Sequence, residues 1–277
     1  MGINVPLFKG LSLKIGADLP GGKDYPTARL QKGFLLLDED QELAEEAVGF
    51  GVPILKRGPQ AIFPGAATLT CLRRGAAWEI TILFKLNLVE KISRGGNENV
   101  ENRQLYALKN LLAAVIRRLP LSRGLLTTVS SKLRRLFNLE TTYADAGFST
   151  EVKMLFTIRE ETGKIIADID TGNLPSDITE VVVMNELGAH YFDRYLDTSG
   201  ISLEGEKLGC WDEVNAEEAW FESSLHRVAF RLRQANGARL FRGRELIGSR
   251  LAWAGFGYSF PPAIKRLRYE MRIEKFS

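Results

Sequence analysis

The stretch that decides the fold is WEITILFKLNL, residues 78–88, in which apolar side chains alternate strictly with the others. One face carries six apolar residues: Trp78, Ile80, Ile82, Phe84, Leu86 and Leu88. The other face carries Glu79, Thr81, Leu83, Lys85 and Asn87. Because successive side chains of a β-strand point to opposite faces, this period of two predicts a half-buried strand.

The same period returns towards the C-terminus. Residues 152–158 alternate, EETG at 160–163 marks a turn, and 164–170 read as the partner strand of a hairpin. Further strands are predicted at residues 178–184, 227–233 and 267–273. Short strands with regularly spaced turns favour an antiparallel β-sandwich or supersandwich. We therefore expect a mainly β fold in which residues 1–277 form a single domain.

Between these strands the apolar period changes to about 3.6 residues, which is typical of helices. Two stripes lie on either side of Pro120: Leu105, Leu108, Leu112, Val115, Ile116 and Leu119, then Leu125, Leu126, Val129, Leu133, Leu136 and Phe137. Proline ends the first stripe because it cannot continue a helix. The spacing predicts a helical hairpin inserted at residues 97–138, so the overall class expected is α+β.

The predicted insert is strongly basic. Residues 102–139 hold eight Lys and Arg residues and no acidic residue, although the formal net charge of the chain is only +3. Arg117, Arg118, Arg134 and Arg135 are expected to face outward at least in part. This face could be balanced by the acidic remainder, bind nucleic-acid phosphates, or bind an anionic membrane surface or partner. Its apolar stripe would pack on the sheets or on a second copy, so a homo-oligomer is open.

Composition excludes several classes of protein. The chain has 277 residues, 45% of them hydrophobic, which is enough for a sizeable core. Its longest apolar run, residues 111–116, is far shorter than the ~20 residues of a membrane-spanning helix. The N-terminus lacks the apolar centre of a secretory signal, so a cytoplasmic protein without a transmembrane segment is expected. Two cysteines, two histidines and the absence of nucleotide-binding and hydrolase motifs predict no metal and no cofactor.

An acidic segment with interleaved aromatic residues is the first candidate site. Between Glu204 and Glu222 the chain holds seven carboxylates and one cation, together with Trp211 and Trp220. Aromatic faces pack on the C–H faces of sugar rings, and nearby carboxylates accept hydrogen bonds from hydroxyls or act as an acid–base pair. Trp211, Asp212, Glu213 and Trp220 are therefore candidate ligand-binding residues. The alternative is a solvated acidic loop whose tryptophans anchor it to the core.

The two histidines are the other candidates for chemistry. His190 lies in the aromatic stretch GAHYFDRYLD, beside Asp193 and Arg194, and a histidine near a carboxylate can exchange protons. His190 and Arg194 are therefore added to the candidate ligand-binding residues. His226 is in phase with the apolar residues of the strand at 227–233, so a buried imidazole with a hydrogen-bond partner is expected there. A structural role remains the alternative for His190 as well.

The stretch His190-Tyr191-Phe192-Asp193 resembles a histidine motif, His-x-Tyr-Phe-Asn, of the galactose mutarotase-like (aldose epimerase-like) supersandwich. The terminal strand, residues 268–273, is also similar to the last strand of that family. The resemblance implies a β-supersandwich and a carbohydrate ligand. This chain departs from the family because its motif is one residue shorter and no histidine precedes His190. Glu270 lies among arginines, which indicates a surface ion pair rather than a catalytic group.

Two hypotheses about function follow from the sequence. The first is a carbohydrate-binding or carbohydrate-modifying protein of unknown specificity, with the question of an enzyme left open. The second is a non-catalytic interaction protein that binds an anionic partner through the basic helical insert.

Overall fold

The computed structural model describes residues 3–8, 10–15, 30–45, 47–94, 139–204, 211–247 and 251–276. Within these ranges the chain forms eighteen β-strands and no helix. The strands are β1 Ile3–Phe8, β2 Leu11–Ile15, β3 Leu35–Asp38, β4 Gln41–Glu42, β5 Gly49–Arg57, β6 Gln60–Arg74, β7 Ala77–Arg94, β8 Leu139–Arg159, β9 Lys164–Asp170, β10 Glu180–Leu187, β11 Arg194–Asp197, β12 Ser202–Glu204, β13 Asp212–Glu213, β14 Glu218–Ser223, β15 Val228–Arg233, β16 Arg239–Ile247, β17 Leu251–Phe260 and β18 Arg266–Lys275.

The predicted β-sandwich fits this architecture, whereas the predicted α+β class is wrong. The described residues are entirely β, so they give no support to a helical insert. Residues 97–138, with Arg117, Arg118, Arg134 and Arg135, lie outside the described ranges. Within those ranges no helix has the length and apolar character needed to cross a membrane.

The strands form two antiparallel sheets. The small sheet has the order β1-β2-β3-β4. The large sheet has the order β12-β11-β14-β15-β18-β9-β8-β7-β6-β5-β10-β17-β16-β13. The predicted strand at 78–88 lies within β7, where Ile80, Ile82, Phe84 and Leu86 are buried as the alternation indicates. The predicted hairpin is β8–β9, with Ile158 opposite Ile165.

The large sheet bends back on itself, because strands far apart in its order meet through aromatic side chains. We call β11, β14, β15, β18 and β9 the first wing, and β5, β10, β17 and β16 the second wing. Phe230 of β15 contacts Phe256 of β17 at 5.7 Å between ring centroids, and Tyr258 of β17 contacts Tyr269 of β18 at 4.6 Å. These contacts join the two wings, so the core of the sandwich lies between them.

The small sheet covers a further part of this core. Val5, Leu7, Leu11 and Leu13 are buried in it. Beside β3, Phe34 meets Phe156 of β8 edge-to-face at 4.4 Å. These contacts bury one face of the small sheet against the large one.

His226 ties the small sheet to the first wing. It lies in the turn before β15, and its Nδ1 is 2.8 Å from Oδ2 of Asp38 at the end of β3. The imidazole is nine-tenths buried and packs edge-on against the ring of Tyr191. His226 therefore has a structural partner.

Candidate functional site

The second wing has an outer face, on the side opposite the core, that carries an unusual set of residues. Val181, Val183 and Leu187 of β10 point into the core, so the even-numbered residues of β10 point outward. Strand register then places three rows across β10, β17 and β16 on this outer face: Glu186–Gly255–Gly243, Met184–Gly257–Phe241 and Val182–Ser259–Arg239. The outer face thus combines glycine, aromatic and charged positions in a defined order.

Two tryptophans contact the backbone of this face at its glycines. The indoles of Trp211 and Trp253 stack with ring centroids 5.0 Å apart and planes inclined by 16°. A Cβ atom at Gly243 would lie 2.6 Å from the ring of Trp253, and one at Gly257 would lie 3.1 Å from the ring of Trp211. The glycines are therefore needed for the indoles to approach the backbone so closely. Both tryptophans remain half-buried, so part of each side chain is accessible.

Two carboxylates flank the indole pair. Glu245 of β16 accepts a hydrogen bond from Nε1 of Trp253 at 3.2 Å. Glu186 of β10 is only 5% exposed, and its Oε2 accepts a hydrogen bond from the amide of Val48 at 3.5 Å. The pKa of Glu186 is raised from 4.5 to about 7, mainly by burial and in smaller part by the negative charge of Glu245, while the hydrogen bond from the Val48 amide and the charge of Lys32 oppose the rise. Glu186 can therefore exchange a proton near neutral pH.

His190 lies near the end of β10 that carries Glu186. Its Nδ1 is 2.8 Å from Oε1 of Glu45, and its side chain is 46% exposed. Lys32 donates to the carbonyl of Glu45 at 3.0 Å, which connects His190 with the surroundings of Glu186. The buried guanidinium of Arg244 fixes the turn around His190 by donating to the carbonyls of Ala189 and Phe192. Because Arg244 alternates with the outward residues Gly243 and Glu245, the turn of His190 is held from the core side of β16, opposite the indole pair.

The segment 211–222 does not form one site. Asp212 and Glu213 are exposed on β13, where Glu213 pairs with Phe241 and so shares the outer face with Trp211. Trp220 lies on β14 of the first wing. Its Nε1 donates to Glu222 at 2.9 Å, and the guanidinium of Arg231 covers its ring at 3.9 Å. The structure therefore separates Trp220 from Trp211.

Arg194 also lies on the first wing. Its Nε is 3.1 Å from Oε1 of Glu204, and its Nη1 is 3.6 Å from Oε2 of Glu222. The same surface carries Glu270, paired with Lys164 at 2.7 Å and with Arg272 at 3.5 Å. Arg194 and Trp220 thus belong to a surface of charge pairs, apart from the indole pair.

Sequence reasoning missed Glu186, Glu245 and Trp253. One signal could have found Glu186, and a second could have found the glycine surface beside Trp253. Glu186 is a carboxylate near the end of the largely apolar strand EVVVMNEL, and residues 255–260, GFGYSF, alternate small residues with aromatic ones. In a strand, this second pattern means an aromatic core face and a flat outer face.

Among the described residues, no group of three His, Cys, Asp or Glu side chains is arranged to hold a metal ion. The groups on the outer face include the carboxylates of Glu186 and Glu245, the guanidinium of Arg239 and the indoles of Trp211 and Trp253.

Comparison with known proteins shows a shared fold. No family model matches the chain, and no curated protein matches its sequence. Among solved structures, the chain is similar to the α-N-acetylgalactosaminidase NagBb from Bifidobacterium bifidum. The complex of NagBb with GalNAc matches at 10% identity and a TM-score of 0.51, and its complex with Gal-NHAc-DNJ at 10% identity and 0.53. Each match covers 99% of this chain but 36% of NagBb, so the chain spans about a third of that enzyme's length.

The predicted resemblance to aldose epimerase-like proteins also has a match. A putative aldose 1-epimerase from Escherichia coli K12 aligns over 100% of both chains, at 7% identity and a TM-score of 0.39. The chain thus resembles such a protein, but at this TM-score the likeness carries no argument about function.

Proposed function

We propose that the chain binds a carbohydrate on the outer face of the second wing, with the Trp211–Trp253 pair as the surface on which a sugar ring stacks. The observation that carries this proposal is the indole pair itself, which is seated on glycines, partly exposed and hydrogen-bonded to the carboxylate of Glu245. Partly exposed indoles beside a glycine surface leave apolar area that a ligand can cover.

Sugar chemistry fits this combination of groups. The C–H face of a pyranose ring packs on an aromatic face, while its hydroxyls need polar partners at the ring edge. A charged carboxylate such as Glu245 accepts hydrogen bonds that are stronger than those between neutral groups. Glu186 lies near Glu245. The pKa of Glu186 is raised to about 7, so its carboxyl group can give or take a proton near neutral pH. The proposal is therefore chiefly that the protein recognises a sugar, and secondarily that it modifies the bound sugar.

The structural comparisons support carbohydrate as the ligand class. NagBb is named as an α-N-acetylgalactosaminidase and carries GalNAc in one of the matching structures. Because this chain spans about a third of NagBb, the proposal takes over only the class of ligand, a carbohydrate, and not the reaction of that enzyme. Glu213 completes the proposed site at its rim. His190 is left out because its turn is held from the core side of β16, and Arg194 and Trp220 are left out because they lie on the first wing.

The proposal predicts that Trp211→Ala and Trp253→Ala each weaken sugar binding. Calorimetric titration with galactose, glucose and N-acetylgalactosamine should show saturable binding of at least one sugar to the wild type. Each substitution should then lower the affinity about 10-fold or more, or ~1.4 kcal/mol, because it removes either the indole on which the sugar stacks or the indole that holds that ring in place from its other face. Melting temperatures of each variant, measured alongside the titrations, distinguish a loss of binding from a loss of fold.

Trp220→Ala is the matched control, because Trp220 is also a half-buried tryptophan on a strand but belongs to the first wing. It should leave the affinity unchanged. The proposal fails if no sugar saturates the wild type, or if Trp220→Ala weakens binding as much as Trp253→Ala does.

A further inference from the structure

The outer face continues well beyond the indole pair. Along β16 the outward residues follow one another in the order Glu245, Gly243, Phe241 and Arg239. Six residue steps along a strand correspond to ~20 Å. This length exceeds a single sugar ring several-fold, so one monosaccharide stacked at the indole pair would leave most of the outer face uncovered.

We call this row of outward residues along β16 the path. Aromatic side chains line the path from its Glu245 end towards its Arg239 end. Trp253 lies beside Glu245, Trp211 covers Gly257, and Phe241 is in register with Gly257 on the neighbouring strand. All three aromatic side chains are half-buried. A succession of partly accessible aromatic side chains across one sheet face suits a ligand that repeats its apolar face at intervals, as a chain of sugar rings does.

The far end of the path opens into a depression of about 540 Å³. Arg239, Glu180 and Ser259 line it, together with the chain around Gly237 and Pro261. Nη2 of Arg239 lies 3.7 Å from Oε1 of Glu180, and Ser259 donates its hydroxyl hydrogen to Glu180. The guanidinium also lies 5.1 Å from the centre of the Phe241 ring, at the last aromatic residue of the path.

The charge of this depression indicates what it would hold. Arg239 is 61% exposed and keeps donors free for a ligand, since a guanidinium has five N–H groups. Glu180 already neutralises its positive charge, so the depression favours hydroxyl groups over a carboxylate or phosphate. It therefore has the character of a second sugar subsite.

We infer that the ligand is a neutral linear oligosaccharide, bound along β16 from the Trp211–Trp253 pair to the Arg239–Glu180 depression. This inference rests on the proposed function, because it places the first sugar unit on the indole pair. It adds the length of the ligand and a residue, Arg239, that contacts a sugar unit remote from Glu186 and Glu245.

The test compares ligands of different length. Galactose is titrated against galactotetraose, and glucose against cellotetraose, with affinities measured by calorimetry. For the pair that binds, the tetrasaccharide should bind at least 10-fold more tightly than the monosaccharide. Arg239→Ala should remove most of this gain and leave the affinity for the monosaccharide unchanged.

Arg266→Ala is the matched control, because Arg266 is also an exposed arginine in an ion pair but lies on β18 of the first wing. It should change neither affinity. Equal affinities for monosaccharide and tetrasaccharide, or a tetrasaccharide affinity that Arg239→Ala leaves intact, would overturn the inference while the monosaccharide site stands. If neither length binds, the inference fails, and the proposed function fails with it when N-acetylgalactosamine does not bind the wild type either.

Discussion

Phe230→Ala should destabilise the protein by ~3–5 kcal/mol, measured as the free energy of unfolding in a denaturant titration. Phe230 is fully buried and contacts four other rings: Phe50, Phe192, Phe221 and Phe256. Its removal leaves a cavity where the first wing meets the second. Because strands on both sides rely on this ring, they cannot collapse into the space without losing other contacts.

Leu225→Ala is the control for this prediction. Leu225 lies in the turn just before β15 and is 79% exposed, so its truncation should change the free energy of unfolding by less than ~0.5 kcal/mol. A decrease in the free energy of unfolding below ~1 kcal/mol for Phe230→Ala would contradict the sandwich. Truncating a phenylalanine packed between two wings should cost more stability than that.

Glu186→Gln should stabilise the protein at pH 8 by up to roughly 3 kcal/mol and have little effect at pH 4. Burial raises the pKa of Glu186 to about 7 in the folded state, against 4.5 when it is unburied. Between these values the folded state binds more protons than the unfolded state, so stability falls as pH rises from about 4.5 to 7. A neutral amide of the same shape removes that dependence.

The measurement is the free energy of unfolding between pH 4 and pH 8 for the wild type and the variant. Glu213→Gln changes an exposed carboxylate at the edge of the same face and should follow the wild type. Equal pH dependence in wild type and Glu186→Gln would show that Glu186 carries no burial penalty. It would then be an ordinary acid, and the proton-transfer part of the proposal would fall.

Much of the sandwich is readable from local pattern. Strict alternation in β7 and in the β8–β9 hairpin predicts strands because one face of each is buried, and the structure buries the predicted face. The pairing of β15 with β18, or of β10 with β17, joins residues far apart in the chain, and no local pattern specifies it. The α+β class was wrong because a helical period at 97–138 was extended to the class of the whole chain.

The candidate site shows why nearness in sequence misled. Trp211 and Trp220 are nine residues apart, so they read as one cluster. In the structure β13 pairs with β16 of the second wing, whereas β14 lies between β11 and β15 of the first. Trp253, the actual neighbour of Trp211, lies far along the chain in β17, and no local pattern links the two indoles. Register across β10, β17 and β16 was needed to bring the two indoles and Glu186 onto one face.

The central claim is that a sugar binds at the Trp211–Trp253 pair, and tryptophan fluorescence tests it most directly. The chain has four tryptophans, so replacing Trp78 and Trp220 by phenylalanine leaves this pair as the sole indoles. Titration of that double variant with galactose, glucose and N-acetylgalactosamine should give a saturable change in emission for the sugar that binds the wild type. A response that disappears in this variant, yet persists when Trp211 and Trp253 are replaced by phenylalanine instead, would contradict the account.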